Sequence, residues 1–443
     1  MCVGGGGGEE VKMRVKKKVA SFFFTLQLSV REGGVSAGEG TGALTRVGLR
    51  TQPSFTEMRR AAAALAWRRP HAPAVENPKA STSSSRLGSA SGHPPPPPPP
   101  LLSRLLDGSL LDEGAVARLA RDGWLVLDDA LPLPHGPSRL AASILAARPF
   151  LSPNASIFVD PASGDRVRRL VKVGVGEAEP GVGGNAALDA ACPALVAVRE
   201  EAASLASLVA ALAPASSPPG GALACLGGPG AVKAQIAQGR QAGEAGGALR
   251  GGFGLHADAD EALDGRRLTL TLYPSALPPG TGGDLLLYPS LDPHAPPITI
   301  PPAPGRAVLF SACRLPHEVS PSVAERLCLS VWLGVRARGL PPPPPPTPVA
   351  AVLRGLVGAS ASVVRRTVLG EPDARRALGR LRLGAVWEAS LARCHGPSPA
   401  LDAALARGRG ERAALARAFE AVGLEWGGVG LGEAGGDPAP VWF

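Results

Sequence analysis

The sequence predicts an α+β protein in which an antiparallel sandwich or jelly roll is preceded by supporting helices and followed by a helical extension. Between Gly251 and Gly334, short apolar runs alternate with turn segments rich in Gly and Pro. This spacing is typical of antiparallel strands rather than of a parallel α/β sheet. On both sides of this block, apolar residues recur at helical intervals instead.

Residues 1–100 are predicted to be a disordered, basic tail with a Gly run, a Ser-rich stretch and seven consecutive prolines at 94–100. The tail holds 14 Lys/Arg against 6 Glu, so it carries +8 of the formal net charge of +9. Nucleic-acid binding needs positive charge on the folded surface that meets the phosphates. We therefore expect no nucleic acid to be bound by the folded part.

Two targeting signals are candidates within the tail. The basic run after Met13 leads into an apolar stretch that faintly resembles a secretory signal, whereas the segment after Met58 is rich in Arg and Ala and has no acid before Glu76. The second composition is that of an organellar transit peptide, and a plain disordered tail is the alternative. Six scattered cysteines without a CxxC pair indicate reduced thiols, and no apolar stretch reaches the length of a membrane span. We expect an intracellular protein, cytoplasmic or, if translation starts at Met58, organellar.

Residues 101–250 are predicted to form the N-terminal helix and strand part of the same domain. A first helix ends at Gly123 and leads into a strand, and the stretch Gly239–Gly252 is a loop. The segments predicted as further helices are SRLAASILAA and ALVAVREEAASLASLVAALA, and RVRRLVKVGV is predicted as a strand.

Residues 251–340 are predicted to form the β core, 341–348 a proline-rich linker and 349–443 a C-terminal helical region. Ser398 is a plausible N-cap with Pro399 at the first helical position. The predicted core strands are RRLTLTLYP, DLLLYP, ITIPP, RAVLF and RLCLSVWLG. The apolar face of the last helix, which we expect to pack on the β core, consists of Leu401, Leu405, Leu415, Phe419 and Val422.

Three residues have the types and spacing of a metal site. His256 and Asp258 lie two residues apart at the mouth of a strand, so both side chains point to one face. His317 follows the strand RAVLF. Two imidazoles and one carboxylate on one face of an octahedral ion suit non-haem Fe(II) that must also bind an organic chelate and O2. Zinc fits less well because no Cys has suitable spacing. Asp260 is the alternative carboxylate, and Asp258 is preferred because the two-residue step keeps it on the face of His256.

Arg326 opens the strand RLCLSVW and shares one face with Ser330 and Trp332. An inward Arg is costly unless it pairs with an anion, and the far carboxylate of a dicarboxylate cosubstrate would supply one. Ser330 lies further along the same face, and Tyr273 offers a hydroxyl donor.

Each of these residues could also have a purely structural role or lie on the surface without a function. His256 and Asp258 could be a polar surface pair, and His317 a buried core histidine. Arg326 could form a structural ion pair with Glu325 or Glu318, and Tyr273 could be a core ring. The coincidence of the three candidate ligands and Arg326 in one order favours the functional interpretation.

The segments HADADEALDGRRLTLTLYPS, GGDLLLYP and PGRAVLFSACRLPHEVSPSVAERLCLSVWLG resemble the Fe(II)- and 2-oxoglutarate-dependent oxygenases of the prolyl 4-hydroxylase type. The nearest likeness is to the hydroxylases that act on hypoxia-inducible factor and to related algal and protist proteins. The resemblance covers roughly residues 251–335, with a weaker likeness at GWLVLDDALP and VKAQIAQ.

This resemblance implies a double-stranded β-helix in which His256, Asp258 and His317 hold Fe(II). It implies that Arg326 binds 2-oxoglutarate with help from Tyr273 and Ser330, and that L-ascorbate supports turnover. The family often places a second Tyr on the strand before the metal loop, and here the matching stretch AQGRQAGEAGGALRGG has none.

Three functions remain open from the sequence. The first is hydroxylation of a protein or peptide side chain, proline by resemblance, with O2 as co-reactant. The second is the same chemistry on a small molecule or a nucleobase, although Trp332 stands where alkylated-base demethylases carry a second Arg. The third is a non-enzymatic, proline-rich interaction protein on an oxygenase fold. Neither the substrate's identity nor the oligomeric state follows from the sequence.

Overall fold

The computed structural model describes residues 98–159, 166–181, 184–214, 223–227, 231–237, 251–259, 265–335, 349–395 and 397–423. From Pro100 onward, the described residues belong to one compact unit. The predicted tail, apart from its last three prolines, lies outside the described residues, as do Asp260, the proline-rich linker 341–348 and most of the loop Gly239–Gly252.

The first half of the chain confirms the predicted order of helices and strands. Asp112 caps the first long helix, because its side chain accepts a hydrogen bond from the backbone N–H of Ala115, and Gly123 ends that helix with a φ of 81°. In chain order the elements are α1 (Ser103–Leu106), α2 (Glu113–Asp122), β1 (Trp124–Leu127), α3 (Gly136–Ala146), a 3-10 turn (Arg148–Phe150), β2 (Ser152–Val159), β3 (Arg166–Ala178), α4 (Ala186–Ala191), α5 (Pro193–Leu212) and β4 (Ala231–Ala237).

The second half contains the five predicted core strands, two further short strands and the C-terminal helices. Ser398 is the N-cap of the last helix, as predicted, and its side chain accepts from the backbone N–H of Leu401. The elements are β5 (Phe253–His256), β6 (Arg266–Leu272), β7 (Leu285–Leu287), β8 (Ile298–Ile300), β9 (Ala307–Ser311), β10 (His317–Val319), β11 (Arg326–Gly334), α6 (Val349–Arg354), α7 (Ala361–Gly370), α8 (Pro372–Arg382), α9 (Gly384–Cys394) and α10 (Pro399–Glu420).

The strands form two antiparallel sheets, which confirms the predicted α+β class with antiparallel strands. The larger sheet has the order β1-β9-β6-β11-β4-β3-β2 and the smaller sheet the order β5-β10-β7-β8. One buried apolar cluster contains residues of both sheets, including Phe253, Tyr273, Leu287 and Phe310. The inner faces of the two sheets therefore pack on each other, an arrangement consistent with a jelly roll.

Strand β11 divides its residues between the two sides of the large sheet. Its leucines, such as Leu327 and Leu329, lie in the cluster that also contains the apolar residues of α2, α3 and α5. Because side chains alternate along a strand, Arg326, Ser330 and Trp332 face the opposite side, toward the small sheet. The helices cover one side of the sheet and leave its polar positions for the space between the sheets.

The C-terminal helices pack largely on one another. Leu415 and Phe419 of α10, together with Val422 just beyond its end, lie in a cluster with residues of α6, α7 and α8 and with Leu291 of the β-core region. The expected packing of this face on the β core is therefore limited to Leu291 within this cluster. The helices α6, α7 and α8 bury apolar residues against one another, whereas α9 packs both on α10 and on the small sheet. Leu255 of β5 packs there with Leu383 at the start of α9.

In the described part of the chain, no helix is both long enough and apolar enough to cross a membrane. The five cysteines among the described residues are free thiols.

Candidate metal and cosubstrate site

The two candidate histidines are cross-strand partners in the small sheet. His256 ends β5 and His317 begins β10, and their Cα atoms are paired in the antiparallel register. The ring centroids lie 4.4 Å apart. Asp258 Oδ1 lies 3.3 Å from His256 Nε2 and 3.7 Å from His317 Nε2. The structure thus brings the three predicted residues together, with one potential ligand atom from each within 4.8 Å of the others.

Backbone carbonyls fix the orientation of both imidazoles. His256 Nδ1 lies 2.7 Å from the carbonyl oxygen of Gly254, and His317 Nδ1 lies 3.1 Å from that of Leu315. When Nδ1–H donates to these carbonyls, Nε2 carries the lone pair. Both Nε2 atoms are the ones that face Asp258, so the free lone pairs converge on one point.

The carboxylate of Asp258 is held from its other side by a residue that the sequence reasoning missed. Thr269 Oγ1 donates a hydrogen bond of 2.6 Å to Asp258 Oδ2, which leaves Oδ1 toward the histidines. Burial acts to raise the pKa of Asp258, but His317 and His256 lower it well below its usual range. Burial and His317 also lower the pKa of His256. A carboxylate beside a neutral imidazole is the donor set that a divalent metal requires.

Arg326 is buried in the same cavity, with 2% of its surface exposed. Its Nη2 donates to the hydroxyl of Tyr273 at 3.1 Å, and its guanidinium carbon lies 5.1 Å from the centre of that ring. Arg326 Nε has no hydrogen-bond partner among the described residues. Burial acts to lower the pKa of Arg326, but Tyr273 and neighbouring groups raise it, so the guanidinium is charged.

The structural ion pairs considered for Arg326 do not form. Glu325 pairs with Arg148 at 2.8 Å, and the carboxylate of Glu318 lies 3.2 Å from Arg393. The guanidinium of Arg326 therefore faces the cavity without a carboxylate of the described chain. Burial raises the pKa of Tyr273 to about 12, so its hydroxyl is protonated at neutral pH.

Ser330 also lines this cavity, but its hydroxyl is engaged by a second residue that the sequence reasoning did not single out. Ser330 Oγ donates to Gln235 Oε1 at 3.3 Å. All six predicted site residues, His256, Asp258, His317, Arg326, Tyr273 and Ser330, line one cavity between the two sheets. The available signal for such lining residues was the alternation of polar with apolar residues along β6, at Thr269 and Thr271, and along β4, at Lys233 and Gln235.

A buried carboxylate next to the metal strand ties the C-terminal helices to the site. Glu318 is 2% exposed and follows His317 in β10. Tyr288 donates to it at 2.7 Å, and the hydroxyl of Ser390 in α9 donates to its other oxygen. Ser390 Oγ also accepts a hydrogen bond of 2.8 Å from the backbone N–H of Leu255, the residue before His256. One serine of α9 therefore contacts both strands that carry a candidate histidine.

Replacing Ser390 by alanine is expected to lower the free energy of unfolding by about 1–3 kcal/mol, because a buried carboxylate oxygen and a buried N–H each lose a partner. Urea denaturation of the variant measures this loss. Ser362→Ala, which removes an exposed hydroxyl of α7, is the matched control and is expected to change stability by less than about 0.5 kcal/mol. Equal effects of the two substitutions would contradict the structural role of Ser390.

The model of a known protein family matches the segment of this chain that carries the candidate site. Residues 244–334 match the family model described as the 2OG-Fe(II) oxygenase superfamily. This match confirms the resemblance seen in the sequence and the expected enzyme class, an oxidoreductase of the dioxygenase type. Among curated proteins, none matches the chain.

Solved structures similar to this chain include prolyl 4-hydroxylases. One from Phytophthora capsici is 20% identical, with a TM-score of 0.46, and the match covers 75% of this chain and 99% of that one. One from Pseudomonas putida is 20% identical with a TM-score of 0.35, over 51% of this chain and 98% of that one. A Trichoplax adhaerens prolyl hydroxylase, solved with a hypoxia-inducible factor peptide fragment, is 21% identical with a TM-score of 0.37, over 50% and 87%.

Proposed function

We propose that this chain is an Fe(II)- and 2-oxoglutarate-dependent dioxygenase that hydroxylates a side chain of a protein substrate, a prolyl residue by resemblance. The observation that carries the proposal is a buried, charged Arg326 without a carboxylate partner in the cavity of the His256, Asp258 and His317 cluster. A buried guanidinium is stable only beside an anion. A dicarboxylate could chelate the metal with one end and pair with Arg326 through the carboxylate at its other end.

The residues present fit the metal. Three donor atoms converge, both imidazoles have their Nδ1 occupied by backbone carbonyls, and Thr269 occupies the second oxygen of Asp258. His256, Asp258 and His317 would hold Fe(II) as a facial triad, which leaves positions for a chelating cosubstrate and O2. No cysteine belongs to the cluster, and this donor set favours Fe(II) over structural zinc.

The residues present also fit 2-oxoglutarate. The Nε–H of Arg326 is available to its distal carboxylate, and the hydroxyl of Tyr273 is a second donor at the same place. Ser330 would contribute only by turning its hydroxyl away from Gln235. L-ascorbate is expected to sustain turnover by keeping iron reduced.

The bound metal and cosubstrate supply the oxidising chemistry, which couples conversion of 2-oxoglutarate and O2 to succinate and CO2 with insertion of the second oxygen atom into a substrate C–H bond. The chain's own residues do the binding and orienting. Gly254 and Leu315 hold the imidazole planes, and Thr269 holds the carboxylate. The apolar residues between the sheets, Phe253 and Phe310 among them, limit the access of water.

Succinate release by the full chain under air, with Fe(II), 2-oxoglutarate and ascorbate, tests the proposal. Wild type is expected to turn over slowly without substrate. His256→Ala is expected to lose at least about 100-fold of this rate, because the metal loses a ligand. His294→Ala, which removes an exposed histidine, is the matched control and is expected to retain the rate.

Two results would contradict the proposed function. One is the absence of Fe(II) and 2-oxoglutarate binding by calorimetry in a folded wild-type protein. The other is an equal rate in wild type and His256→Ala, which would show that succinate arises without the candidate triad.

A further inference from the structure

The cavity contains a buried lysine that neither the metal nor the cosubstrate uses. Lys172 of β3 is 8% exposed and lines the cavity of the candidate triad. Its Nζ lies 4.3 Å above the ring of Phe253, and it makes no hydrogen bond or ion pair with any residue of the described chain. The second lysine of the cavity differs, since Lys233 Nζ lies 3.0 Å from Glu177 and 3.0 Å from Glu179.

The charges of the cosubstrate do not provide a partner for Lys172. In the proposed complex, one carboxylate of 2-oxoglutarate meets Arg326 and the other meets the metal. The acid with the largest electrostatic influence on Lys172 is Glu177. Its oxygens already accept hydrogen bonds from Lys233 at 3.0 Å and from Asn154 Nδ2 at 2.5 Å. An ammonium buried to this extent is costly without an anion beside it, so Lys172 is a cationic group that the described residues and the cosubstrate leave for a further ligand.

Two more polar atoms of the same cavity have no hydrogen-bond partner among the residues that the structure describes. The indole N–H of Trp332 is buried and has no acceptor, and the side-chain oxygen of Asn154 is buried and has no donor. The amide orientation of Asn154 is fixed, because its nitrogen donates to Glu177. A buried donor and a buried acceptor without partners match the C=O and N–H that a peptide backbone offers.

We infer that Lys172 binds a carboxylate of the protein substrate, so that the hydroxylated residue has an aspartate or glutamate close to it in the sequence. This inference rests on the proposed function and adds the charge class of its substrate. Trp332 and Asn154 complete the site by pairing with the substrate backbone. Lys172 is a specificity-determining residue in this assignment and takes no part in the reaction itself.

Matched peptide pools test the inference. One pool carries a central proline with glutamate at each neighbouring position in turn, and the other carries glutamine at the same positions. Rhodamine-labelled pools are titrated by fluorescence anisotropy, under nitrogen, into the full chain loaded with Fe(II) and 2-oxoglutarate. Wild type is expected to bind the glutamate pool about tenfold or more tightly than the glutamine pool, since a charge-assisted hydrogen bond in a buried site has this magnitude.

Variants at Lys172 make the test specific. Lys172→Met is expected to lose the preference for glutamate, and Lys172→Arg to keep it. Lys172→Glu is expected to prefer a third pool that carries lysine at the same positions. Unchanged discrimination in Lys172→Met would overturn the inference. So would failure of wild type to bind the glutamate pool better, or at all, while Fe(II) and 2-oxoglutarate bind normally.

The same experiment separates this inference from the proposed function. If wild type binds neither Fe(II) nor 2-oxoglutarate, the proposed function itself is contradicted. If Lys172→Met binds 2-oxoglutarate more weakly but keeps the preference for glutamate peptides, Lys172 binds the cosubstrate. That result would overturn the inference that Lys172 binds a carboxylate of the substrate.

Discussion

Replacing Arg326 by methionine is expected to weaken 2-oxoglutarate binding by about 30-fold to several thousand-fold. Arg326 is buried, and truncating one partner of a buried, hydrogen-bonded charge pair costs about 2–5 kcal/mol. The distal carboxylate would remain in the cavity with the hydroxyl of Tyr273 as its remaining donor. Anaerobic calorimetry with Fe(II) present measures the dissociation constant.

Two controls sharpen this experiment. Tyr273→Phe removes one neutral donor and is expected to weaken 2-oxoglutarate by only about fivefold. Arg148→Met removes an arginine that is 45% exposed and pairs with Glu325, and it is expected to leave the affinity unchanged. An Arg326→Met protein that binds 2-oxoglutarate as tightly as wild type would contradict the assignment of the distal carboxylate.

Arg326→Met is expected to raise the stability of the protein without ligand, although it weakens the binding of 2-oxoglutarate. Arg326 Nε has no partner among the described residues, so the isolated fold carries a buried charge that an apolar side chain does not carry. Arg326→Met should therefore unfold at a higher urea concentration than wild type in the absence of 2-oxoglutarate. Addition of 2-oxoglutarate with metal should stabilise wild type far more than the variant.

The sequence predicts that two of the candidate ligands act together because their geometry is local. His256 and Asp258 are two residues apart, and a side-chain period of two directs both to one face. The alternation of Arg326, Ser330 and Trp332 with leucines likewise predicts which side of β11 is polar. The contact between His256 and His317 is not local, since it depends on the antiparallel pairing of β5 with β10. The order of residues along the chain fixes neither that pairing nor its register.

The supporting residues could not be predicted in the same way. Thr269 lies 11 residues from Asp258, and Ser390 lies 72 residues from Glu318. These contacts, and the place of Lys172 in the cavity, exist only after the sheets and α9 have packed. Thr269 lies between leucines in β6, a pattern that is common in strands and does not mark it as a partner of Asp258. Lys172 lies in the basic stretch RVRRLVKVGV, where its type does not distinguish it from residues on a solvated strand. The inferred role of Lys172 depends on its burial in the cavity, and the residue types around it in the sequence do not reveal that burial.

The C-terminal helices show a second limit of sequence patterns. The apolar stripe of α10 predicts that Leu415 and Phe419 are buried, and both are. A stripe does not identify the surface that covers it, and here the other helices and Leu291 provide that surface. The contact with the small sheet comes from Ser390 of α9 and from Leu383, the residue before that helix, which lie next to β5.

Replacing Lys172 by methionine is expected to raise the free energy of unfolding at pH 7 by up to about 3 kcal/mol. Burial lowers the pKa of Lys172 to about 8, from the ordinary lysine value of 10.5, and Glu177, Cys394 and Asp258 offset this only in part, while Lys233 adds to it. Each pKa unit corresponds to about 1.4 kcal/mol of differential interaction between the two protonation states. The folded protein therefore carries the cost of a buried ammonium that the unfolded chain does not carry.

The sign of the pH dependence follows from the direction of this shift. Because the folded state binds the proton less tightly than the unfolded state, the cost is fully present below pH 8 and disappears as pH rises toward 10.5. The advantage of Lys172→Met over wild type should accordingly be largest at pH 7 and small near about pH 10, as measured by urea denaturation. A variant less stable than wild type at pH 7 would mean that the ammonium has a stabilising partner in the folded protein.

Lys233→Met is the matched comparison, since it removes the other lysine of the same cavity. Burial acts to lower the pKa of Lys233, but Glu177 and Glu179 raise it above its usual value. Its removal leaves two neighbouring carboxylates without their shared cation, so this variant is expected to be less stable than wild type at pH 7. Opposite signs for two Lys→Met substitutions in one cavity would separate a lysine that stabilises the fold from one that is retained for a ligand.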